Sequence, residues 1–130
     1  MRLFYLLILL ALCAISCTPA TTAPTSPRQL LHSDGINLTL APGHAPVETP
    51  LTLTLEAEGL TAVSGELTGV NMYMGRVPIR FSQLAANSWQ AEFLLGACSE
   101  PDMQWQLVLQ LQDQQGQNVT LKQTFQSSWR

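Results

Sequence analysis

Apolar and polar residues alternate with a period of two along most of the chain from residue 36 onward. The pattern is clearest in 103–111, where Met, Trp and three Leu residues alternate mainly with Gln. The segments 36–40, 51–55 and 89–95 show the same alternation. No apolar stripe with the 3.6-residue period of a helix is sustained after the first 17 residues. Because successive side chains of a strand point to opposite faces, this pattern predicts strands with one buried face and one solvated face.

Turn-forming residues divide the alternating region into short strands. The segment 42–46 reads Pro-Gly-His-Ala-Pro, Gly75 separates the predicted extended stretches 66–74 and 77–81, and 113–116 reads Asp-Gln-Gln-Gly. About seven strands with solvated outer faces are typical of two packed antiparallel sheets. The sequence therefore predicts an all-β fold, a single antiparallel immunoglobulin-like β-sandwich.

The N-terminal segment has the features of a secretory signal. Arg2 precedes an almost unbroken apolar run over 3–12, and Ala-Ile-Ser lies directly before Cys17. The run is short for a membrane-spanning helix, so 1–16 is interpreted as a bacterial lipoprotein signal peptide, with an uncleaved anchor as the alternative. Cys17 would then be lipidated and would tether the protein to a membrane facing the periplasm. Thr18, in place of Asp, favours the outer membrane of a Gram-negative host.

The predicted anchor leads into a spacer. Residues 18–27 contain three Pro and five Ser or Thr residues, a composition that favours an extended chain over a packed core. We therefore divide the chain into a signal peptide (1–16), a lipidated Cys with a Pro/Thr-rich tether (17–34) and a sandwich domain (35–130).

Composition and motifs exclude several classes of function. Charged residues make up 12% of the chain and only six are Lys or Arg, which leaves no basic patch for nucleic acid. The sequence has no Gly-rich phosphate loop, no His pair at helical spacing and no Gly-x-Ser-x-Gly turn. A nucleophilic pair of Cys98 and His44 would need a third, orienting residue, and the sequence points to none. We therefore expect a protein that is not an enzyme.

Sulfur is concentrated in two short segments. Met72 and Met74 lie two residues apart, on one face of the predicted extended stretch, and Cys98 precedes Met103 by five residues. These three Met residues are all that the chain contains beyond Met1. If Cys17 is lipidated and Cys13 is removed with the leader, Cys98 has no intramolecular disulfide partner. Thiolate and thioether are soft donors, so the four residues form a candidate Cu(I) site that zinc would suit less well.

Two other interpretations of the sulfur residues stay open. Met fills irregular gaps in cores and Cys is among the most buried residue types, so all four side chains could be core packing. Thiol redox chemistry at Cys98 is a further alternative.

The segment 69–75, Gly-Val-Asn-Met-Tyr-Met-Gly, followed by Trp89 at the start of a strand, resembles the YtkA-like and FixH-type periplasmic domains. The resemblance covers roughly 35–126 and implies copper handling or assembly of a respiratory oxidase. Met72 and Met74 match the family's Met-type positions, whereas Arg76 follows Gly75 where a His is usual. We expect an anchored accessory protein that binds or delivers Cu(I), with an oxidase or another envelope protein as its partner. The alternative is a metal-free structural or interaction lipoprotein.

Overall fold

The computed structural model describes residues 26–129, which form nine strands. None of these residues lies in a helix. The predicted signal peptide, Cys17 and the first part of the tether lie outside the described residues. The strands are β1 (Arg28–Ser33), β2 (Ile36–Ala41), β3 (Leu51–Glu56), β4 (Leu60–Gly69), β5 (Arg76–Arg80), β6 (Ser82–Ala85), β7 (Ser88–Phe93), β8 (Gln104–Asp113) and β9 (Asn118–Gln126).

The strands form two antiparallel sheets with an immunoglobulin-like order. One sheet runs β1-β2-β3-β7-β6 and the other runs β5-β4-β8-β9. When β1 is set aside, the chain order is that of strands A-B-E-D in one sheet and C-F-G in the other, with an extra strand beside C. The predicted all-β antiparallel sandwich is confirmed, with nine strands in place of about seven.

The core lies between the sheets and follows the alternation of the sequence. On β8, Trp105 and the three Leu residues at 107, 109 and 111 are at most 1% exposed, while the Gln residues point outward. The inward residues of β3 and β7 oppose them from the other sheet. The indole nitrogen of Trp105 donates a hydrogen bond to Ser127 Oγ at 3.1 Å, so its one polar atom is paired inside the core.

The first sheet begins earlier than the predicted domain boundary at residue 35. Residues 28–33, assigned above to the tether, form β1 and pair with β2. Asp34 and Gly35 connect the two strands with positive φ values of 51° and 76°, as a two-residue hairpin turn requires. Leu30 and Leu31 pack against the core, which attaches this strand to the domain.

The predicted strand over 66–74 is wrong beyond Gly69. β4 ends there, and 70–75 form a loop that Gly75 closes with a φ of 78°. Exposure still alternates along this loop, because Met72 and Met74 are half-buried while Tyr73 is 82% exposed. The two Met side chains therefore lie on the same side of the segment, as predicted, and are turned toward the protein, although no strand holds them.

Candidate metal centre

Three loops and the C-terminal segment meet at one end of the sandwich, which we call the loop end (residues 41–50, 70–75, 94–103 and 127–129). Backbone hydrogen bonds join these segments: the amide of Val47 donates to the Ser128 carbonyl at 2.9 Å, and the amide of Glu48 donates to the Leu95 carbonyl at 2.8 Å. The amide of Val70 donates to the Gln104 carbonyl at 2.8 Å. The loop end is therefore one connected surface, and it contains all four predicted sulfur donors.

The side chain of Asn71 holds the two sulfur-bearing segments together. Its Nδ2 donates to the Asp102 carbonyl at 3.1 Å, and its Oδ1 accepts from the Gln104 amide at 2.9 Å. Asn71 immediately precedes Met72, and its two partners flank Met103. We call this pair of hydrogen bonds the Asn71 clamp.

Two glycines lie close to sulfur side chains of the opposite segment, and at Gly69 there is no room for a Cβ. A Cβ on Gly69 would overlap both the methyl group of Met103 and the backbone carbonyl of Met72. A Cβ on Gly96 would lie 3.5 Å from the methyl group of Met74. Met103 thus reaches the loop that carries Met72, and Met74 reaches the segment that carries Cys98.

The four sulfur side chains differ in burial. Met103 is 2% exposed and belongs to the hydrophobic core. Met72, Met74 and Cys98 are half-buried and pack against that core from the loop end. Cys98 is a free thiol whose Sγ donates to the Glu100 carbonyl at 3.4 Å. Three of the four sulfur residues are consequently partly exposed to solvent, and the fourth is buried in the core.

Oxygen and nitrogen donors are not gathered in the same way. Within residues 26–129, no group of three or more His, Cys, Asp or Glu side chains is placed to hold a metal ion. His44 lies in the 41–50 loop, where its Nδ1 is buried and has no hydrogen-bond partner among the described residues. Within residues 26–129, therefore, no cluster of nitrogen and oxygen donors accompanies the sulfur side chains of the loop end.

The residues that position the sulfur were not identified from the sequence. Asn71 and Gly69 belong to the Gly-Val-Asn-Met-Tyr-Met-Gly segment, in which the Met residues alone were assigned a role. Their function depends on contacts with residues more than 30 positions away, which no local pattern specifies. Arg76, which follows this segment, forms an ion pair with Glu66 at 3.3 Å.

Comparisons with known proteins bear on the fold. No family model and no curated protein matches the chain. A solved structure of a DUF4785 family protein from Legionella pneumophila aligns with a TM-score of 0.53 and 14% identity. The alignment covers 73% of this chain and 29% of that one, so this chain spans less than a third of the Legionella protein. At this identity the match shows a shared fold alone.

A second solved structure is ACE19, the collagen binding subdomain of the Enterococcus faecalis surface protein ACE. It aligns over 84% of this chain and 99% of that one, with 7% identity and a TM-score of 0.27. That TM-score is too low to support an inference. Among the described residues, no helix has the length and apolar character needed to cross a membrane.

Proposed function

We propose that this protein is a non-enzymatic, lipid-anchored domain facing the periplasm that binds Cu(I) at its loop end. The donors are Met72, Met74 and Cys98, with Met103 as a fourth donor from below. The observation that carries the proposal is the docking of the two sulfur-bearing segments, which are distant in sequence and joined by the Asn71 clamp. Core packing alone does not require three of the four sulfur side chains to lie at the half-buried surface of one loop cluster.

The chemistry of the donors selects the metal. Thioether and thiolate sulfur are soft ligands that favour Cu(I) over Zn(II), Mg(II) or Ca(II). On binding, the Cys98 thiol would release its proton and its hydrogen bond to the Glu100 carbonyl, and the thiolate would neutralise the charge of the ion. Unbranched Met side chains can adjust their rotamers around a metal with little backbone movement.

The location of the site suits transfer of the ion. Half-buried donors hold a metal while leaving one side open to an incoming ligand of a partner protein. An anchor at Cys17 would keep the domain close to the membrane, where a respiratory oxidase or another envelope protein could receive Cu(I). The proposed role is therefore delivery or storage of Cu(I) for such a partner.

A metal-free interaction domain is the second candidate. It is favoured by the contact of all four sulfur side chains with the hydrophobic core and by the near-complete burial of Met103. In this case the sulfur residues stabilise the loop end, and the loops themselves form a docking surface for an envelope protein.

Competition for Cu(I) distinguishes the two candidates. The mature chain is titrated anaerobically against a chromophoric Cu(I) chelator, alongside Cys98→Ser, the double variant Met72→Leu/Met74→Leu, and Met103→Leu. We expect one Cu(I) per chain and a loss of affinity of about tenfold or more for Cys98→Ser, because the only anionic donor is removed. The Met→Leu changes conserve volume, so each variant should remain folded by circular dichroism.

The control is Val119→Ala, which alters an exposed apolar residue at the opposite end of the sandwich. It should bind Cu(I) as wild type does. If the wild-type protein takes up no Cu(I), or if the sulfur variants bind as tightly as wild type, the copper proposal is wrong and the metal-free candidate is favoured.

A further inference from the structure

The N-terminal tether enters the domain at the loop end. The carbonyl of Ser26 accepts a hydrogen bond from the Gly43 amide at 3.0 Å, which places the start of the described chain against the 41–50 loop. A Cβ on Gly43 would lie 2.6 Å from that carbonyl oxygen, so the contact is close. The described part of the chain therefore begins at this end of the domain.

Exposed apolar side chains are concentrated at the same end. Tyr73 is 82% exposed, Trp129 and Leu94 are each 55% exposed, and Val70 is 53% exposed. Within residues 26–129 the other large apolar side chains with comparable exposure are Leu84 and Val119, which lie toward the opposite end on β6 and β9. Four of these six exposed side chains thus lie at the end of the sandwich where the described chain begins.

We propose that the loop end rests on the lipid surface, with Tyr73 and Trp129 inserted at the membrane–water interface. Tyr and Trp are the residues that favour this interface, because an apolar ring enters the lipid while the polar atom stays hydrated. The inference rests on the proposed lipidation of Cys17 and goes beyond the proposed copper site, since it assigns a different ligand and an orientation. In this orientation a partner that receives Cu(I) would approach the loop end along the membrane surface.

The length of the tether supports lipid as the partner of the loop end. Eight residues lie between Cys17 and Ser26, and the nine steps from one Cα atom to the other span at most about 30 Å when the chain is fully extended. The loop end therefore cannot move far from the bilayer, and even a weak interfacial affinity is amplified by the high local concentration of lipid. A soluble protein partner has no such advantage.

The charged residues of the loop end do not favour attraction to anionic lipid headgroups, so the loop end should contact the membrane through its apolar side chains. Glu48, Glu100 and Asp102 contribute three carboxylates, while Arg28 and Arg76 contribute two guanidinium groups at its margin. Arg76 is already paired with Glu66. With no excess of positive charge among these described residues, attraction to anionic headgroups is not the driving force, and contact should occur on zwitterionic lipid and persist at high salt.

Tryptophan fluorescence can test the orientation. The lipidated protein is reconstituted into phosphatidylcholine vesicles with and without bromine on the acyl chains, and flotation first verifies that it is anchored. Trp89 and Trp105 are 6% and 1% exposed, so quenching by brominated lipid reports mainly on Trp129. We expect quenching in wild type, its loss in Trp129→Phe, and a reduction of about twofold or more in Tyr73→Ser, because an interfacial apolar contact is removed.

Val119→Ser is the matched control, since it removes an exposed apolar side chain from the opposite end and should leave quenching unchanged. Protein that floats without quenching would overturn the orientation while leaving the anchor and the copper site intact. The orientation is also overturned if Trp129 is protected from soluble quenchers but not reached by brominated lipid, because a second copy of the protein, and not lipid, then covers Trp129. Protein that fails to float would refute the anchor, and the orientation with it.

Discussion

Removing the Asn71 clamp should loosen the loop that carries Met72 and Met74. Asn71→Ala deletes two hydrogen bonds, of 3.1 Å to the Asp102 carbonyl and 2.9 Å from the Gln104 amide. Each such bond contributes about 0.5–1.5 kcal/mol net, and water can reach both partners at this exposed site, so we expect a total loss of about 1–2 kcal/mol. If docking of the loop is itself marginal, a smaller fraction of molecules presents the two thioethers to the 94–103 segment, and the affinity for Cu(I) falls by up to about 30-fold.

Three measurements test this prediction: the free energy of unfolding, the affinity for Cu(I) and the opening of the clamp. Denaturant unfolding gives the free energy, competition with the Cu(I) chelator gives the affinity, and hydrogen exchange at the Gln104 amide reports whether the clamp is open. Asn118→Ala, at the start of β9 on the opposite end, is the matched control and should change none of them. An Asn71→Ala protein with unaltered Gln104 exchange and wild-type affinity would refute the reasoning, because the clamp would then not position the donors.

Two further predictions concern the core and the anchor. Trp105→Ala should lower the free energy of unfolding by about 3–5 kcal/mol, because it empties a fully buried site and leaves Ser127 Oγ without its indole donor; a loss below about 1 kcal/mol in denaturant unfolding would contradict this position in the core. Cys17→Ala should move the protein from the membrane fraction to the soluble fraction, and mass spectrometry of the wild-type membrane form showing an intact Met1 would refute cleavage and lipidation.

The strands could be predicted wherever burial alone decides which side chains point into the core and which point to solvent. Strand β8 pairs with β4 on one side and β9 on the other, so its position is set by the inward row of Trp105 and three Leu residues. A slip of one residue would expose that whole row, which makes the alternation a strong constraint. The turn at 113–116 was predicted from its turn-forming residues, and Asp113 Oδ1 accepts from the amides of Gln115 and Gln117 there.

Strands without a buried row could not be predicted in this way. All four residues of β6 are exposed, because it is an edge strand that pairs only with β7. β1 also lies at an edge, and its two half-buried residues are adjacent in sequence, next to a bulge, so they show no alternation. Such strands depend on backbone pairing with a neighbour, which the order of apolar residues does not encode.

The sulfur residues show where sequence reasoning reaches its limit. Softness of the donors could be inferred from residue type, and the shared face of Met72 and Met74 from their spacing. Their approach to the Cys98 segment could not, because it depends on a long-range hydrogen-bond pair and on the missing side chain of Gly69. A loop that served packing alone could use Leu at these positions, since Leu fills a similar volume. Replacing thioethers with Leu therefore separates the two roles: folding should tolerate the change, and Cu(I) binding should not.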